Sequence, residues 1–231
     1  GDDTAARRQE ARAYFDLALA LLQPQPPVVV ALGGLSGTGK STVAAAVAPL
    51  IGAGAGARIL SSDRLRKAHY GVPPETRLPP EAYQPDISAQ VYGELTLRAG
   101  ALAGAGGSVV ADAVFARETE RDNIRAAART AQTDFRGFWL DAPAALLRKR
   151  VAERAGGPSD ATVAVLEQQL GYDTGQMDWT RLDAAQPPPA LAAMICSALR
   201  PAGLRQGTQA PPSEPPVDPD GDSQAPVMRR P

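Results

Sequence analysis

Residues 28–42 read VVVALGGLSGTGKST, and this stretch decides the fold. The β-branched run from Val28 to Leu32 has the length and composition of a buried strand. Gly34 to Ser41 then match the pattern G-x-x-x-x-G-K-[ST] at every fixed position, and a helical pattern follows. Glycines let the backbone curl around an anion, and a helix N-terminus adds N–H groups and a positive dipole end. The stretch therefore predicts a phosphate-binding loop between a strand and a helix.

The motif also assigns chemistry to individual residues of this loop. Lys40 supplies a mobile positive charge for the β and γ phosphates of a nucleotide. Ser41 can offer its hydroxyl oxygen to Mg²⁺, which makes ATP with Mg²⁺ the expected ligand. The residues expected to hold the nucleotide are Gly34, Leu35, Ser36, Gly37, Thr38, Gly39, Lys40, Ser41 and Thr42.

The rest of the chain alternates between strand and helix patterns. Such alternation indicates a parallel sheet with helices on both faces. Ser159 or Asp160 is expected to cap one of the helices. Further strands are predicted at 58–62, 108–115, 135–140 and 179–184. Helices are predicted at 4–22, 42–51, 86–104, 117–132, 143–155, 159–170 and 188–200, the first of them amphipathic.

Composition excludes several classes of protein. The 231 residues carry a formal net charge of −1, so no overall basic field favours nucleic acid or an anionic membrane. The longest apolar run is far shorter than the ~20 residues that span a bilayer. The single cysteine cannot form an internal disulfide, which favours a reducing compartment, and we expect a cytoplasmic protein.

Changes in composition divide the chain into three predicted parts. Residues 1–27 are expected to form a helix and a Pro-rich linker, and residues 28–203 the nucleotide-binding domain. Residues 204–231 are rich in proline and poor in apolar residues, so we expect a disordered tail. The chain starts with glycine, so we expect that it is a fragment of a longer protein.

Two missing signals narrow the class of nucleotide-binding protein. The guanine-reading motif N-K-x-D of GTPases does not occur in the sequence. The strand SVVAD ends in Asp112 followed by Ala113, so the Glu that polarises water in motor-type ATPases is missing. Both observations favour transfer of phosphate to a bound acceptor. Asp112 is expected to support Mg²⁺ together with Ser41, and a structural hydrogen bond to the loop is the alternative.

Asp63 is the candidate catalytic base. It ends the second predicted strand, and residues at the carboxyl end of that strand lie beside the phosphate loop in a doubly wound sheet. There its carboxylate can accept the proton of an acceptor hydroxyl. Arg66, one helical turn later, can orient the acceptor or stabilise transferring charge. The alternative interpretation of Asp63 is a helix N-cap.

A basic helical turn at residues 148–154 is the candidate lid. Arg150 and Arg154 are four residues apart and share a helical face, just before Gly156-Gly157-Pro158. Arginines on such a hinged segment can close over the triphosphate and exclude water. The alternative is a solvated basic face that pairs with Glu153.

Together these motifs resemble bacterial phosphate-loop kinase-like proteins, described as AAA-family ATPases or gluconate-kinase-like kinases, over residues 28–200. The resemblance extends to chloramphenicol, gluconate and polynucleotide 5′-hydroxyl kinases. It implies that Asp63 is the acceptor base and that Arg150 and Arg154 are lid arginines. It also implies an upstream domain similar to aminoglycoside phosphotransferases. The segments that carry the resemblance are GGLSGTGKST, SSDRLRK, GSVVADAVF, RKRVAERAGGPSDA and DWTRLDA.

We therefore expect a three-layer α/β fold whose five parallel strands have the order 2-3-1-4-5. The expected activity is ATP- and Mg²⁺-dependent transfer of the γ-phosphoryl group to a hydroxyl of a small molecule. Three alternatives stay open: a polynucleotide 5′-hydroxyl kinase, a regulatory ATP-binding module without an acceptor, and a toxin-type kinase acting on a nucleotide sugar. Neither a membrane nor a nucleic acid is an expected partner.

Overall fold

The computed structural model describes residues 2–23, 25–153 and 159–199, and it describes the side chains of all of these except residues 2, 3 and 20. Within these ranges, the strands are Val28–Gly33 (β1), Arg58–Ser61 (β2), Val109–Asp112 (β3), Asp134–Asp141 (β4) and Thr180–Asp183 (β5). The α-helices in the same ranges are Asp2–Leu22 (α1), Lys40–Val47 (α2), Ser62–His69 (α3), Pro85–Gly104 (α4), Glu118–Thr130 (α5), Ala144–Ala152 (α6), Val163–Leu170 (α7) and Pro188–Leu199 (α8). Ala48–Leu50 and Pro80–Tyr83 form 3₁₀ turns.

The sheet has the predicted architecture. Its five strands run in the order β2-β3-β1-β4-β5, and every neighbouring pair is parallel. The strand β1, which opens the deciding stretch, is central because β3 and β4 cover its two edges. The expectation of a parallel sheet in the order 2-3-1-4-5 is therefore confirmed.

Side chains of β1 alternate between two hydrophobic cores, one on each face of the sheet. Val29 and Ala31 pack with buried residues of α4 and α5. Val30 and Leu32 pack with buried residues of α2 and α8. All four are completely buried, as expected for a strand covered on both faces. With both faces occupied by helices, the carboxyl edge of the sheet is the place left for a ligand.

The third strand is shorter than predicted. It ends at Asp112, whereas the apolar pattern at 108–115 predicted three more residues. Phe115 has a φ angle of 51°, and the fully buried guanidinium of Arg121 accounts for this turn. Arg121 donates hydrogen bonds to the carbonyl oxygens of Phe115 and Ala116 and to two carbonyls of the loop before β5. The N–H of Phe115 is held by the hydroxyl of Tyr92, so the chain leaves the sheet with its backbone groups bound to side chains.

Several predicted boundaries move by a few residues, and two of these shifts affect the candidate site. The second strand ends at Ser61, so that Asp63 belongs to the first turn of α3. The helix predicted at 159–170 begins at Val163, and its N-cap is Thr162, whose Oγ1 accepts a hydrogen bond from the N–H of Val165. The prediction of Ser159 or Asp160 as this cap was wrong, because the carboxylate of Asp160 binds other partners described below.

The first helix forms as predicted, and the apolar side chains that gave it an amphipathic pattern are largely exposed. Tyr14 and Leu22 are 66% and 80% exposed, and Phe15 and Leu17 are also exposed. None of the helices within the described ranges is long and apolar enough to cross a membrane. The predicted tail from residue 204 onward and the predicted hinge at 156–158 lie outside the described residues.

Candidate active site

The phosphate loop joins β1 to α2, and its shape depends on glycine. Gly34, Gly37 and Gly39 have φ angles of 139°, 87° and 85°, which residues with a Cβ rarely adopt. A Cβ on Gly37 would lie 2.9 Å from the carbonyl oxygen of Leu147 in α6. The loop thus curls tightly against α6. The helix α2 begins at Lys40, so its first turn directs backbone N–H groups toward the same loop.

Lys40 extends over the beginning of this loop. Its Nζ donates hydrogen bonds to the carbonyl oxygens of Gly34 at 2.8 Å and of Leu35 at 3.1 Å. Its positive charge also favours the ionised forms of Asp63 and Asp112, so both carboxyl groups lie within its electrostatic range. Lys40 is therefore placed where its ammonium group can exchange carbonyl partners for the oxygens of a phosphate.

Ser41 and Asp112 meet across the central strands. The hydroxyl of Ser41 donates a hydrogen bond of 2.7 Å to Oδ2 of Asp112. Ser41 lies in the first turn of α2 and Asp112 ends β3, and the two elements meet because β3 pairs with β1. The sequence offered a structural hydrogen bond to the loop as the alternative role of Asp112, and its bond with Ser41 is such a contact. The hydroxyl oxygen of Ser41 and the carboxylate oxygens of Asp112 are also hard ligands, which Mg²⁺ accepts.

Burial raises the pKa of Asp112, because the carboxyl group is only 4% exposed and has lost most of its hydration. The charge of Lys40 opposes the rise, and so do hydrogen bonds from the hydroxyls of Ser41 and Ser61. A cation placed beside this carboxylate would stabilise its ionised form further. The donor set formed by Ser41 and Asp112 therefore fits Mg²⁺.

Asp63 lies beside the groups that are predicted to handle the phosphate chain. Its pKa is raised, first by desolvation and second by the negative charge of Asp112, while Lys40 acts in the opposite direction. The sheet register explains the proximity, since Ser61 is the register partner of Asp112 and Asp63 follows two residues later. The Ser159 side chain also makes a hydrogen bond to Asp63, which lowers the pKa.

Arg66 lies on the buried side of α3 and contacts the segment that leads into α4. Its guanidinium donates hydrogen bonds to the carbonyl oxygen of Ala82 and to the hydroxyl of Ser88, and it lies 4.7 Å from the centre of the Tyr83 ring. Its Nε is buried without a hydrogen-bond partner among the described residues. Arg66 thus holds one wall of the site, and the expected contact with an acceptor stays a prediction.

Sequence reasoning missed an ion pair next to Arg66. Nζ of Lys67 lies 2.7 Å from Oδ1 of Asp160, and the Lys67 side chain is 1% exposed. Asp160 also accepts hydrogen bonds from the N–H of Leu78 and the hydroxyl of Tyr83. The partners are 93 residues apart in the sequence, and no local pattern signals their contact.

A cavity of about 350 Å³ lies between the phosphate loop and the loop that joins β5 to α8. Arg150 borders the cavity, and its Nη1 donates a hydrogen bond of 2.8 Å to the carbonyl oxygen of Ala184. Its lining combines residues of the phosphate loop with apolar residues of α8, Pro188 and Leu191. The lining residues are Gly37, Thr38, Gly39, Thr42, Val43, Arg150, Ala184, Gln186, Pro188 and Leu191.

The basic residues of α6 contact two different parts of the structure, the cavity and α7. Arg150 lies at the cavity, and its role as a lid arginine stays a prediction. Arg148 instead forms an ion pair with Glu167 of α7, with a distance of 2.6 Å between Nε and Oε1. Arg154, the second predicted lid arginine, lies outside the described residues.

The parallel sheet, its strand order, the glycine loop after β1 and the carboxylate at the end of β3 define a phosphate-loop NTPase fold of the kinase type. The chain belongs to the family described as the AAA domain, a phosphate-loop kinase-like family, whose model matches residues 29–173. This match confirms the family that the motifs predicted.

Curated relatives include an uncharacterized protein of Mycobacterium tuberculosis strain H37Rv and one of Mycobacterium bovis. Each is 31% identical to this chain over 186 residues, which is 77% of this chain and 36% of the relative. The chain thus spans about a third of the length of the curated relatives it matches. The similarity therefore concerns only one part of each of these longer relatives.

Solved structures with the same fold include several small-molecule kinases. A sugar kinase from Janibacter is 25% identical, with a TM-score of 0.52 over 75% of this chain and 94% of that one. The APS kinase of Mycobacterium tuberculosis, solved with AMPPNP and APS, is 22% identical, with a TM-score of 0.55 over 77% and 99%. A gluconokinase from Sinorhizobium meliloti is 22% identical, with a TM-score of 0.50 over 77% and 97%.

Proposed function

We propose that this chain transfers the γ-phosphoryl group of ATP, in the presence of Mg²⁺, to a hydroxyl group of a small-molecule acceptor. The observation that carries the proposal is the position of Asp63, at the carboxyl edge of the sheet and within electrostatic range of Lys40 and Asp112. A carboxylate at this place can take the acceptor proton next to the phosphate that is transferred. The likeness to a sugar kinase at 25% identity supports an acceptor of this kind.

In this proposal ATP binds along residues 34–42 and in the adjoining cavity. The phosphates occupy the loop, where Lys40 and the first turn of α2 supply positive charge. The adenosine part lies against the apolar wall that includes Pro188 and Leu191, with Arg150 at the cavity edge. Arg154 would add a second lid arginine. Water is excluded best when both arginines close over the phosphates.

Ser41 and Asp112 are the residues proposed to hold Mg²⁺. Their oxygens are 2.7 Å apart, and Mg²⁺ characteristically takes one or two protein oxygens in addition to phosphate oxygens and water. When bound, the ion neutralises charge on the β and γ phosphates of the nucleotide. Asp112 then has a second role, because its own charge raises the pKa of Asp63.

The proposed step uses residues of this chain for binding and proton transfer. Asp63 accepts the proton of the acceptor hydroxyl while that oxygen forms a bond to the γ phosphorus. The bond from the γ phosphorus to the oxygen that bridges the β phosphate breaks, and ADP leaves with the electron pair. Lys40 stabilises the charge that develops on the phosphate oxygens. Arg66 supports the acceptor wall through Ala82 and Ser88.

The raised pKa of Asp63 suits a general base. A carboxylate whose pKa is raised binds a proton more strongly and is a better base than an exposed Asp. Desolvation and Asp112 raise the pKa, whereas Lys40 and Ser159 keep the ionised form accessible. The environment therefore balances proton affinity against ionisation, which is typical of catalytic carboxylates.

Substitution of Asp63 by Asn tests the proposal. Transfer of labelled γ-phosphate from ATP is measured on a panel of sugars, sugar acids, nucleosides and a 5′-hydroxyl oligonucleotide. For any acceptor found, Asp63→Asn is expected to reduce the transfer rate by ~10²–10⁴, because the proton acceptor is removed. Asp86→Asn is the matched control, since Asp86 is an exposed carboxylate in the first turn of another helix, α4.

The outcomes separate the proposal from its alternatives. ATP affinity should stay near the wild-type value in Asp63→Asn, because the loop residues are untouched. Full transfer activity in this variant would remove Asp63 from the mechanism. ATP binding and hydrolysis without any acceptor would favour a regulatory module. Transfer to the oligonucleotide alone, with binding that weakens steeply as salt rises, would favour a polynucleotide kinase.

A further inference from the structure

Gln169 of α7 binds directly to the backbone of the phosphate loop. Its Oε1 accepts a hydrogen bond of 2.8 Å from the N–H of Ser36, although the two residues are 133 positions apart. Gln169 is 8% exposed and Ser36 is 7% exposed. Loss of such a partner would leave a buried N–H group without a hydrogen bond, which is costly. The contact is therefore strong enough to influence the shape of the loop.

Apolar packing surrounds this hydrogen bond. Leu35, the residue before Ser36, packs on a small cluster made by Leu147 and Val151 of α6 and Leu166 of α7. The helices α6 and α7 thus form a wall along the outer side of the loop. Gln169 is the polar contact of this wall with the loop backbone, and the leucines supply burial that shields it from water.

The hydrogen bonds of the loop backbone show what this contact does. The N–H of Gly34 binds the carbonyl oxygen of Val114, and the N–H of Thr38 binds the carbonyl oxygen of Leu35. The N–H of Ser36 is held by Gln169. The N–H groups of Gly34, Ser36 and Thr38 are thereby bound to protein oxygens. An anion is left with the later part of the loop and the first turn of α2, where the charge of Lys40 also lies.

We propose that Gln169 is a positioning residue for the phosphate loop. By holding the N–H of Ser36, it fixes the first half of the loop before a nucleotide arrives, so that less ordering has to accompany binding. This inference rests on the proposed function to the extent that the loop binds ATP. According to this inference, α7 contributes to the affinity for the nucleotide although it lies outside the phosphate-loop motif.

The test compares Gln169→Met with Gln168→Met. Methionine resembles glutamine in length and flexibility but accepts hydrogen bonds only weakly. Gln168 is the neighbouring residue on the exposed face of α7, so its variant controls for any change in helix propensity or stability. A third variant, Gln169→Asn, keeps a polar side chain that is one carbon too short for the contact. It provides a folded alternative if the Met variant does not fold.

Calorimetric titration measures the affinity for ATP, ADP and AMP with Mg²⁺, and amide hydrogen exchange measures the protection of Ser36. Gln169→Met and Gln169→Asn are expected to weaken ATP and ADP binding about three- to tenfold, as for loss of one buried hydrogen bond. AMP lacks the phosphates that the loop holds, so its affinity should change less. Ser36 should exchange faster in both variants and at the wild-type rate in Gln168→Met.

Three negative results are possible, and they do not all have the same meaning. If Ser36 loses protection while the ATP affinity equals that of Gln168→Met, the contact only stabilises the fold and the inference is overturned. If the wild-type protein binds neither ATP nor ADP, the proposed function fails, and this inference fails with it. A lowered melting temperature with unchanged nucleotide affinity likewise overturns the positioning role.

Discussion

Lys67 and Asp160 form a buried ion pair at the edge of the candidate site, with 2.7 Å between Nζ and Oδ1. Lys67 lies one helical turn after Asp63 in α3, and Asp160 precedes α7. Asp160 also accepts hydrogen bonds from the N–H of Leu78 and the hydroxyl of Tyr83. One carboxylate thus ties together three segments of the chain that surround the predicted acceptor side.

Asp160→Asn is expected to lower the free energy of unfolding by about 3 kcal/mol, because it leaves the buried ammonium group of Lys67 without its opposite charge. Chemical denaturation at neutral pH measures the change. Asp134→Asn is the matched control, since Asp134 is exposed and begins β4. Equal stability of the two variants would contradict the structural importance of the pair.

The stability that this pair contributes should depend on pH. Burial acts to raise the pKa of Asp160, but hydrogen bonds from Lys67, Leu78 and Tyr83 outweigh it, so the pKa lies below its ordinary value of 3.8. A lowered pKa stabilises the folded state above that ordinary value, and the contribution is lost as pH falls further. The difference in unfolding free energy between wild type and Asp160→Asn should therefore shrink below pH 3.8. A constant difference down to pH 2 would argue against the ionised pair.

Lys40→Ala is expected to remove the stabilisation that ATP with Mg²⁺ confers, while the fold stays intact. The ammonium group lies over the loop, and no other side chain of the phosphate-loop motif carries a positive charge. At a ligand concentration of 100 times Kd, binding stabilises a protein by about 2.7 kcal/mol, which a thermal-shift assay detects easily. Lys149→Ala, an exposed lysine of α6, should retain the full shift. An unchanged shift in Lys40→Ala would refute the proposed nucleotide site.

Gly37→Ala is expected to reduce both stability and ATP affinity. Its φ of 87° disfavours any residue with a Cβ, and the added methyl group would lie 2.9 Å from the Leu147 carbonyl oxygen. Gly71→Ala separates the two effects, because Gly71 has a φ of 65° but open space around the new Cβ. Backbone strain costs about 1–3 kcal/mol in both variants. Gly37→Ala should lose more stability in denaturation experiments, and it alone should bind ATP weakly.

Asp63→Asn is expected to raise the melting temperature at pH 7. The pKa of Asp63 is raised above 3.8 by desolvation and by Asp112, so folding favours the neutral carboxyl group. A raised pKa means that stability is lost as pH rises through the folded-state value. The neutral Asn avoids this loss, and its advantage should disappear below pH 3.8.

Scanning calorimetry of wild type, Asp63→Asn and Asp86→Asn across this pH range provides the measurement. The Asp86 variant should follow the wild type, since that carboxylate is exposed. If Asp63 is mainly a stabilising charge in the first turn of α3, its variant will melt at a lower temperature than the wild type at pH 7. That result would favour the helix-terminus interpretation of Asp63 over a functional one.

The local sequence was sufficient to predict the phosphate loop and the sheet. Residues 28–42 combine a β-branched run, glycines at fixed spacing and a helix pattern, all of which act within a few residues of the backbone. Alternation of strands and helices then favours parallel pairing. The position of Asp112 near the phosphate loop could be predicted, because this residue ends a strand and parallel strands bring their carboxyl ends to one edge of the sheet. Strands, helices and glycine turns depend on residues that are neighbours in the sequence, so a sequence pattern reveals them.

Only the tertiary structure decided the contacts between distant residues. Ser36 binds Gln169 and Lys67 binds Asp160 across 133 and 93 positions, and neither pair has a local signal. The third strand ends at Asp112, and the residues after it turn toward hydrogen bonds with the side chains of Arg121 and Tyr92, which the apolar pattern did not signal. The sequence by itself determined the elements and the phosphate motif, because these depend on local geometry. The contacts around that motif were decided by tertiary packing. Each buried polar group requires a hydrogen-bond partner, and the packing of the helices determined which groups became partners.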